Sequence, residues 1–312
     1  MDKMESRNKR KNKLIYYITI PLSLLLIIAN LYFIKYNTNL KQNNKQKQDE
    51  LTQLNQKIDF DSNELTKFEN ELTELKNIDN KINNIKKEYY QTLKIFEDKV
   101  TNKELNYKIA YLTFDDGPYY LTHKFLEVLE KHNVKGTFFT IGLDKDTCYD
   151  NRTKSCKEVY QKITKQGHTI ANHTYSHLIF NGLYSSTNSF IDSVKKQENL
   201  IKERTGITTN IVRFPGGIAS SGHLKNDITE ELRTLGYGWV DWTASNGDGG
   251  YIPNKETAMN NFKKTINEYI EVILFHDYNH ITLSMLPEAI EYLQKNNYIL
   301  LPLFYESKMV NK

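Results

Sequence analysis

Seven short apolar runs, separated by segments of helical periodicity, recur along the last two thirds of the chain and leave few folds open. They lie near residues 109–114, 137–141, 168–172, 210–214, 237–242, 271–276 and 298–303. Helical patterns fall between them over Leu121–His132, Cys156–Lys165, Phe190–Thr205, Asp227–Leu235, Glu256–Tyr269 and Leu286–Lys295. Gly206 and Gly236 stand just past two of these ends, where a left-handed cap favours glycine. Short strands alternating with amphipathic helices indicate parallel α/β architecture, since parallel neighbours need a crossover between them. Seven such units predict a distorted seven-stranded (β/α) barrel, closed or nearly closed, whose missing eighth strand leaves room for a groove. Functional groups in such barrels gather at the C-terminal ends of strands.

Five polar motifs close apolar runs: TFDDGP (Thr113–Pro118), HTYSH (His173–His177), RFPGG (Arg213–Gly217), NGDG (Asn246–Gly249) and LFHD (Leu274–Asp277). Adjacent carboxylates at Asp115 and Asp116 repel one another unless a cation sits between them. His173 and His177 are four apart, so on a helical turn both imidazoles face one way, as chelation requires. With Asp116 they make a two-nitrogen, one-oxygen set that leaves positions for water, the pattern of a catalytic metal site. Zinc fits best on ligand type, and other divalent ions remain open.

These motifs, in this order and spacing, resemble the polysaccharide deacetylases, carbohydrate esterase family four, over about Tyr107–Phe304. The resemblance implies that Asp115 is the general base and that Asp116, His173 and His177 hold the metal. It implies that Arg213 pins the base, that Leu274 and His276 line an acetyl pocket with His276 as general acid, and that Asp248 orients His276. Pro215 and Gly216 would meet the substrate, the Gly216 backbone N–H facing the oxyanion. Two positions depart from the family pattern. Gly216 stands where an aromatic often follows the motif proline, and Gly249 where tryptophan commonly follows the aspartate. Trp242 or Trp239 could replace that lost aromatic wall, unless both are buried strand residues. His123, His132, His168, His223 and His280 read as surface or capping histidines. Cys148 and Cys156, the two cysteines, either close a short disulfide loop or remain thiols.

The remainder of the chain divides into a basic stub (1–13), a span (14–34), and a tether with a stalk (35–106), ahead of a catalytic domain (107–312). Six Lys or Arg against Asp2 and Glu5 give the stub a net charge of +4, equal to that of the whole chain. The rest is neutral overall, which leaves no nucleic-acid footprint. Leu14–Ile34 carries no charge over 21 residues, enough for a transmembrane helix, and the preceding positive charge predicts an extracytoplasmic domain beyond it. Leu51, Leu54, Ile58, Leu65, Phe68, Leu72, Leu75, Ile82, Ile85, Tyr89, Phe96 and Val100 follow heptad-like steps. They predict a coiled-coil stalk through which the chain could form a homo-oligomer, or else a long solvated helix. Together these features lead us to expect a cell-membrane, single-pass, metal-dependent deacetylase of an N-acetylated glycan, with peptidoglycan N-acetylglucosamine the first candidate. Secreted poly-N-acetylglucosamine, an O-acetylated glycan, and an inactive wall-binding scaffold are the rivals.

Overall fold

The computed structural model describes residues 30, 32–48, 62–142 and 156–312, with side chains of the second long helix from Asn70 onward. The chain divides into two compact units, Met1–Asn83 and Asn84–Lys312. In the first, residues 32–48 are helical, and so is the beginning of α1 (Ser62–Thr101). No helix among the described residues is long and apolar enough to cross a membrane. The span expected over 14–34 lies outside those residues except for residues 30 and 32–34.

In the second unit, β1 (Lys108–Asp115), β2 (Thr137–Thr140), β3 (Thr169–Asn172), β4 (Ile211–Val212), β5 (Gly238–Trp239), β6 (Ala244–Ser245) and β7 (Ile270–His276) form a parallel sheet. Their order is β5-β4-β3-β2-β1-β7-β6, and β8 (Tyr298–Leu300) pairs with Lys108–Ala110 at the N-terminal end of β1. β5 and β6 are two halves of one chain passage. Its beginning pairs with β4 and its end with β7, Val240 N donating to Val212 O at 3.0 Å and Thr243 N to Val272 O at 2.8 Å. The two ends of the sheet order are thereby joined, and the seven expected runs are all strands.

Period-two alternation divides each strand between two layers. Ala110, Leu112 and Phe114 of β1 face outward, packing with Phe138, Ile273 and Phe275 and with the helices α2 (Thr122–Lys131), α3 (Cys156–Lys165), α6 (Lys255–Thr265) and α7 (His280–Lys295). Ile109 and Tyr111 face inward with Phe139, Ala171, Ile211, Val240 and Val272. Continuing the same alternation upward brings Thr113 and Asp115, Leu274 and His276, His173 and Arg213 to the inner side. A third cluster joins α4 (Thr187–Thr205) and α5 (Lys225–Thr234) to Val212 and Phe214. Gly206 ends α4 with φ 73°, the left-handed cap its sequence position predicts.

Two helix limits differ most from the sequence pattern. α6 ends at Thr265, short of Tyr269, because the Glu271 carboxylate accepts the N–H groups of Asn267 (2.7 Å) and Glu268 (2.6 Å) and turns the chain into β7. α7 begins at His280, ahead of Leu286. Asn279 caps it by accepting from Ile281 and Thr282 N–H, so Pro287 lies inside the helix.

The last turns of α1 belong to the barrel unit, which starts well ahead of Tyr107. Leu93 and Val100 are buried in the inner cluster, with Tyr89 and Phe96 packed against it. Glu97 is fully buried there, and its carboxylate accepts from Tyr111 Oη (3.1 Å), Ser307 Oγ (2.7 Å) and Lys308 N (3.0 Å). From Tyr89 onward the heptad stripe is therefore used inside the chain. Leu72 and Ile85, earlier in the stripe, are exposed.

Candidate active site

Asp115 ends β1, His276 ends β7, and the two are paired across the sheet. Asp116 follows with φ 73°. That left-handed backbone interrupts the alternation of a strand, so adjacent carboxylates turn toward one site, at a strain of about 1–3 kcal/mol. The expected helical turn between His173 and His177 is absent. Thr174 (φ 65°) and His177 (φ 50°) are left-handed instead and fold the loop until the two imidazole centroids are 4.9 Å apart.

Asp116 Oδ1 lies 3.2 Å from His177 Nε2 and 3.5 Å from His173 Nε2. Ligand atoms about 2.0–2.1 Å from a tetrahedral ion stand roughly 3.3 Å from one another. Asp116 Oδ1 is buried and accepts no hydrogen bond, which suits an oxygen reserved for a cation. His173 Nδ1 donates to Arg213 O at 2.9 Å, leaving Nε2 with its lone pair facing Asp116. Burial pushes the His173 pKa down to about 3, against the pull of Asp116, so the ring is neutral as a ligand requires. These residues fit one divalent ion.

Next to this group, with Oδ2 3.6 Å from His173 Nε2, Asp115 is buried and its Oδ1 accepts from Arg213 Nη1 at 3.0 Å. The same nitrogen donates to Thr113 Oγ1 (2.6 Å), Nε to Val240 O (3.1 Å) and Nη2 to Asp241 O (3.0 Å). The guanidinium is fully buried, 4.1 Å from the centroid of the Phe139 ring. Burial raises the Asp115 pKa, and Arg213 opposes that rise.

His276, the register partner of Asp115, also reaches the group, its Nε2 3.9 Å from Asp116 Oδ2. Asp248 Oδ1 meets His276 Nδ1 at 2.8 Å, while Oδ2 accepts His276 N (2.9 Å) and Thr282 Oγ1 (2.6 Å). Burial works against the imidazolium, but the Asp248 bond and charge, with Asp115 and Asp116 beyond, outweigh it and raise the pKa to about 9.

Gly216 is exposed with φ 73°, and a Cβ there would stand 2.6 Å from Ser220 Oγ, so this backbone and its neighbour require glycine. Pro215 is buried, its carbonyl accepting from Tyr184 Oη at 2.8 Å. Leu274 is buried on the inner face below His276. The two tryptophans separate: Trp239 is buried in the third cluster, whereas Trp242 is half-buried, within reach of a Cβ on Gly217 and 5.9 Å from the Arg213 guanidinium. The structure also brings in residues that the motifs left unassigned. Thr113, legible from period two, supports Arg213. Asn246 Nδ2 donates to Thr282 Oγ1 at 2.9 Å, behind Asp248. Asp277 is buried beside Gly117, accepts from Thr122 Oγ1 at 2.6 Å, and is pushed up to about 7 chiefly by burial, then by Asp116. Nothing local in the sequence marks Thr282.

His168 is not a surface residue. It is buried, accepts Gly136 N–H on Nδ1 at 3.0 Å and packs edge-on against Phe138. His132 caps α2 and His280 is exposed, as expected. Cys148 lies outside the described residues, and Cys156 is buried without a free thiol.

The polysaccharide deacetylase profile matches residues 102–239. The catalytic domain of a peptidoglycan N-acetylglucosamine deacetylase from Eubacterium rectale is 32% identical, with a TM-score of 0.60 over 66% of this chain and 93% of that one. A Streptococcus mutans CE4 esterase is 28% identical, with a TM-score of 0.57 over 67% of this chain and 91% of that one. A Bacillus cereus peptidoglycan-N-acetylglucosamine deacetylase is 28% identical over 196 residues, 61% of this chain and 67% of that protein. With the profile, the fold and the motif residues in agreement, the chain belongs to the polysaccharide deacetylase family and is a deacetylase of the hydrolase class.

Proposed function

We propose that this enzyme removes the N-acetyl group from N-acetylglucosamine in a cell-wall glycan, peptidoglycan first, with one divalent ion, zinc by ligand type, held by Asp116, His173 and His177. The observation that carries the reading is that Asp115, locked by Arg213, and His276, held on Asp248, both reach that ligand set, Asp115 Oδ2 lying 3.6 Å from His173 Nε2 and His276 Nε2 3.9 Å from Asp116 Oδ2. When bound there, the ion supplies a water of lowered pKa and polarises the acetamide carbonyl. Asp115 accepts the proton of the attacking water, and Arg213 keeps its carboxylate aimed. The Gly216 N–H, which donates to no protein group among the described residues, faces the oxyanion. His276 gives its proton to the nitrogen as the C–N bond breaks, leaving acetate and a free amine. Leu274 and Trp242 bound the space for the acetyl group and its sugar.

An amide, rather than an ester, is favoured by the raised pKa of His276, because an amine leaves only when protonated. The complete set Asp115, Asp116, His173, His177 and His276 argues against an inactive scaffold. The uncharged stretch 14–34 and the basic stub before it support a membrane-anchored, extracytoplasmic enzyme. Mass spectrometry of wall fragments from cells with and without the gene tests the substrate. Glucosamine appearing only with the gene is the expected result, and unchanged fragments would remove peptidoglycan. Protease added to intact protoplasts should remove the region after Ile34, and a protected catalytic domain would overturn the topology.

A further inference from the structure

Positions 216 and 249, where the family resemblance leads one to expect aromatic side chains, are glycines here. A Cβ on Gly249 would stand 3.2 Å from His276 Cε1, so a side chain at that position would lie against the His276 imidazole. Aromatic rings do stand beside the same imidazole. The Tyr278 ring centroid is 5.3 Å from that of His276, and the Tyr119 ring is 6.1 Å from Tyr278, edge to face. Tyr120 continues the row at 4.8 Å from Tyr119. Tyr278 is half-buried and Tyr119 is 39% exposed, although both are large and partly apolar. The row is contiguous with the site, because Tyr119 follows TFDDGP directly and Tyr278 lies two residues beyond His276.

A leaving nitrogen must come within about 3 Å of His276 Nε2 to take its proton. The sugar carbon that bears it then lies one bond further, which puts the pyranose within reach of a ring beside the imidazole, and Tyr278 is such a ring. We propose that Tyr278 is the platform for the sugar carrying the scissile acetamide, and that Tyr119 extends the platform to the neighbouring sugar of a pyranose chain. Such rings offer an apolar face to the C–H groups of a pyranose and a hydroxyl to its rim. In this chain an aromatic contact thus comes from the loops after β1 and β7, beside His276 and in addition to Trp242. The inference rests on the N-acetylglucosamine reading above.

The test uses the metal-loaded full chain, the tetramer of N-acetylglucosamine and 4-nitrophenyl acetate, which has no sugar to stack. Tyr278→Ala should raise KM for the tetramer about tenfold and lower kcat/KM on it far more than on the ester. Tyr278→Phe, which keeps the ring, should restore KM to within about threefold of the parent. Tyr119→Ala should raise KM for the tetramer more than for the single N-acetylated sugar. Metal content and melting temperature identify any variant that has merely misfolded, and Tyr278→Phe then carries the comparison. Equal losses on tetramer and ester, or a Phe variant as impaired as the Ala variant, would overturn the platform and leave the substrate reading standing. A parent enzyme active on the ester and inert toward the tetramer would overturn both.

Discussion

Asp248 grips His276 at two points, Oδ1 against the ring Nδ1 at 2.8 Å and Oδ2 against the backbone N–H at 2.9 Å. One carboxylate therefore orients the imidazole and, ahead of Asp115 and Asp116, favours its charged form. His276→Ala should cost about 10²–10⁴-fold on an N-acetyl substrate and much less on an activated acetyl ester. If His276 is the acid, activity of the parent enzyme should fall as pH rises through about 9, where its raised pKa lies. Asp248→Asn can still orient the ring but no longer stabilises its cation, so the alkaline limb of the kcat profile should move to lower pH. Parallel losses on amide and ester, with a lowered melting temperature, would assign His276 a structural role only.

Metal removal should abolish activity, and a divalent ion should restore it. His177→Ala should lose the ion with little loss of fold, since that ring is partly exposed. Elemental analysis with thermal denaturation separates the two effects. Activity in metal-free buffer would contradict the assignment of Asp116, His173 and His177.

Glu97 ties the end of α1 to the barrel interior. Glu97→Ala leaves the Tyr111 and Ser307 hydroxyls and the Lys308 N–H without their acceptor, and should cost about 3 kcal/mol of stability. A chain started at Tyr107 lacks Leu93 and Val100 as well, and should be far less stable than one started at Asn84. Equal melting temperatures for the two truncations would show that α1 is only a spacer.

His168 should make the fold acid-sensitive. Burial lowers its pKa from 6.5 to about 3, so the folded state favours the neutral ring. Its contribution is fully present above about pH 6.5 and is lost as pH falls toward 3, because the unfolded chain takes up the proton first. His168→Gln keeps an acceptor for Gly136 N–H and cannot titrate. Its melting temperature should therefore fall less between pH 7 and pH 5 than that of the parent, and identical slopes would exclude His168 as the source.

The seven apolar runs and the five motifs were legible because local pattern and strand-end chemistry determine them: period two selects Asp115, His173, Arg213 and His276 as inward-facing, and caps such as Gly206 end helices wherever tertiary packing permits. Only the tertiary structure decided the rest. The left-handed backbones of Asp116, Thr174 and His177 bring the ligands together without the expected helical turn, because convergence on one point overrides local preference. Glu97 has no mark in the local sequence, and only Tyr111, Ser307 and Lys308, distant in sequence, make it an interior residue. His168 and Thr282 carried no local signal, since burial and long-range hydrogen bonds arise from which segments pack together and not from any short stretch of chain.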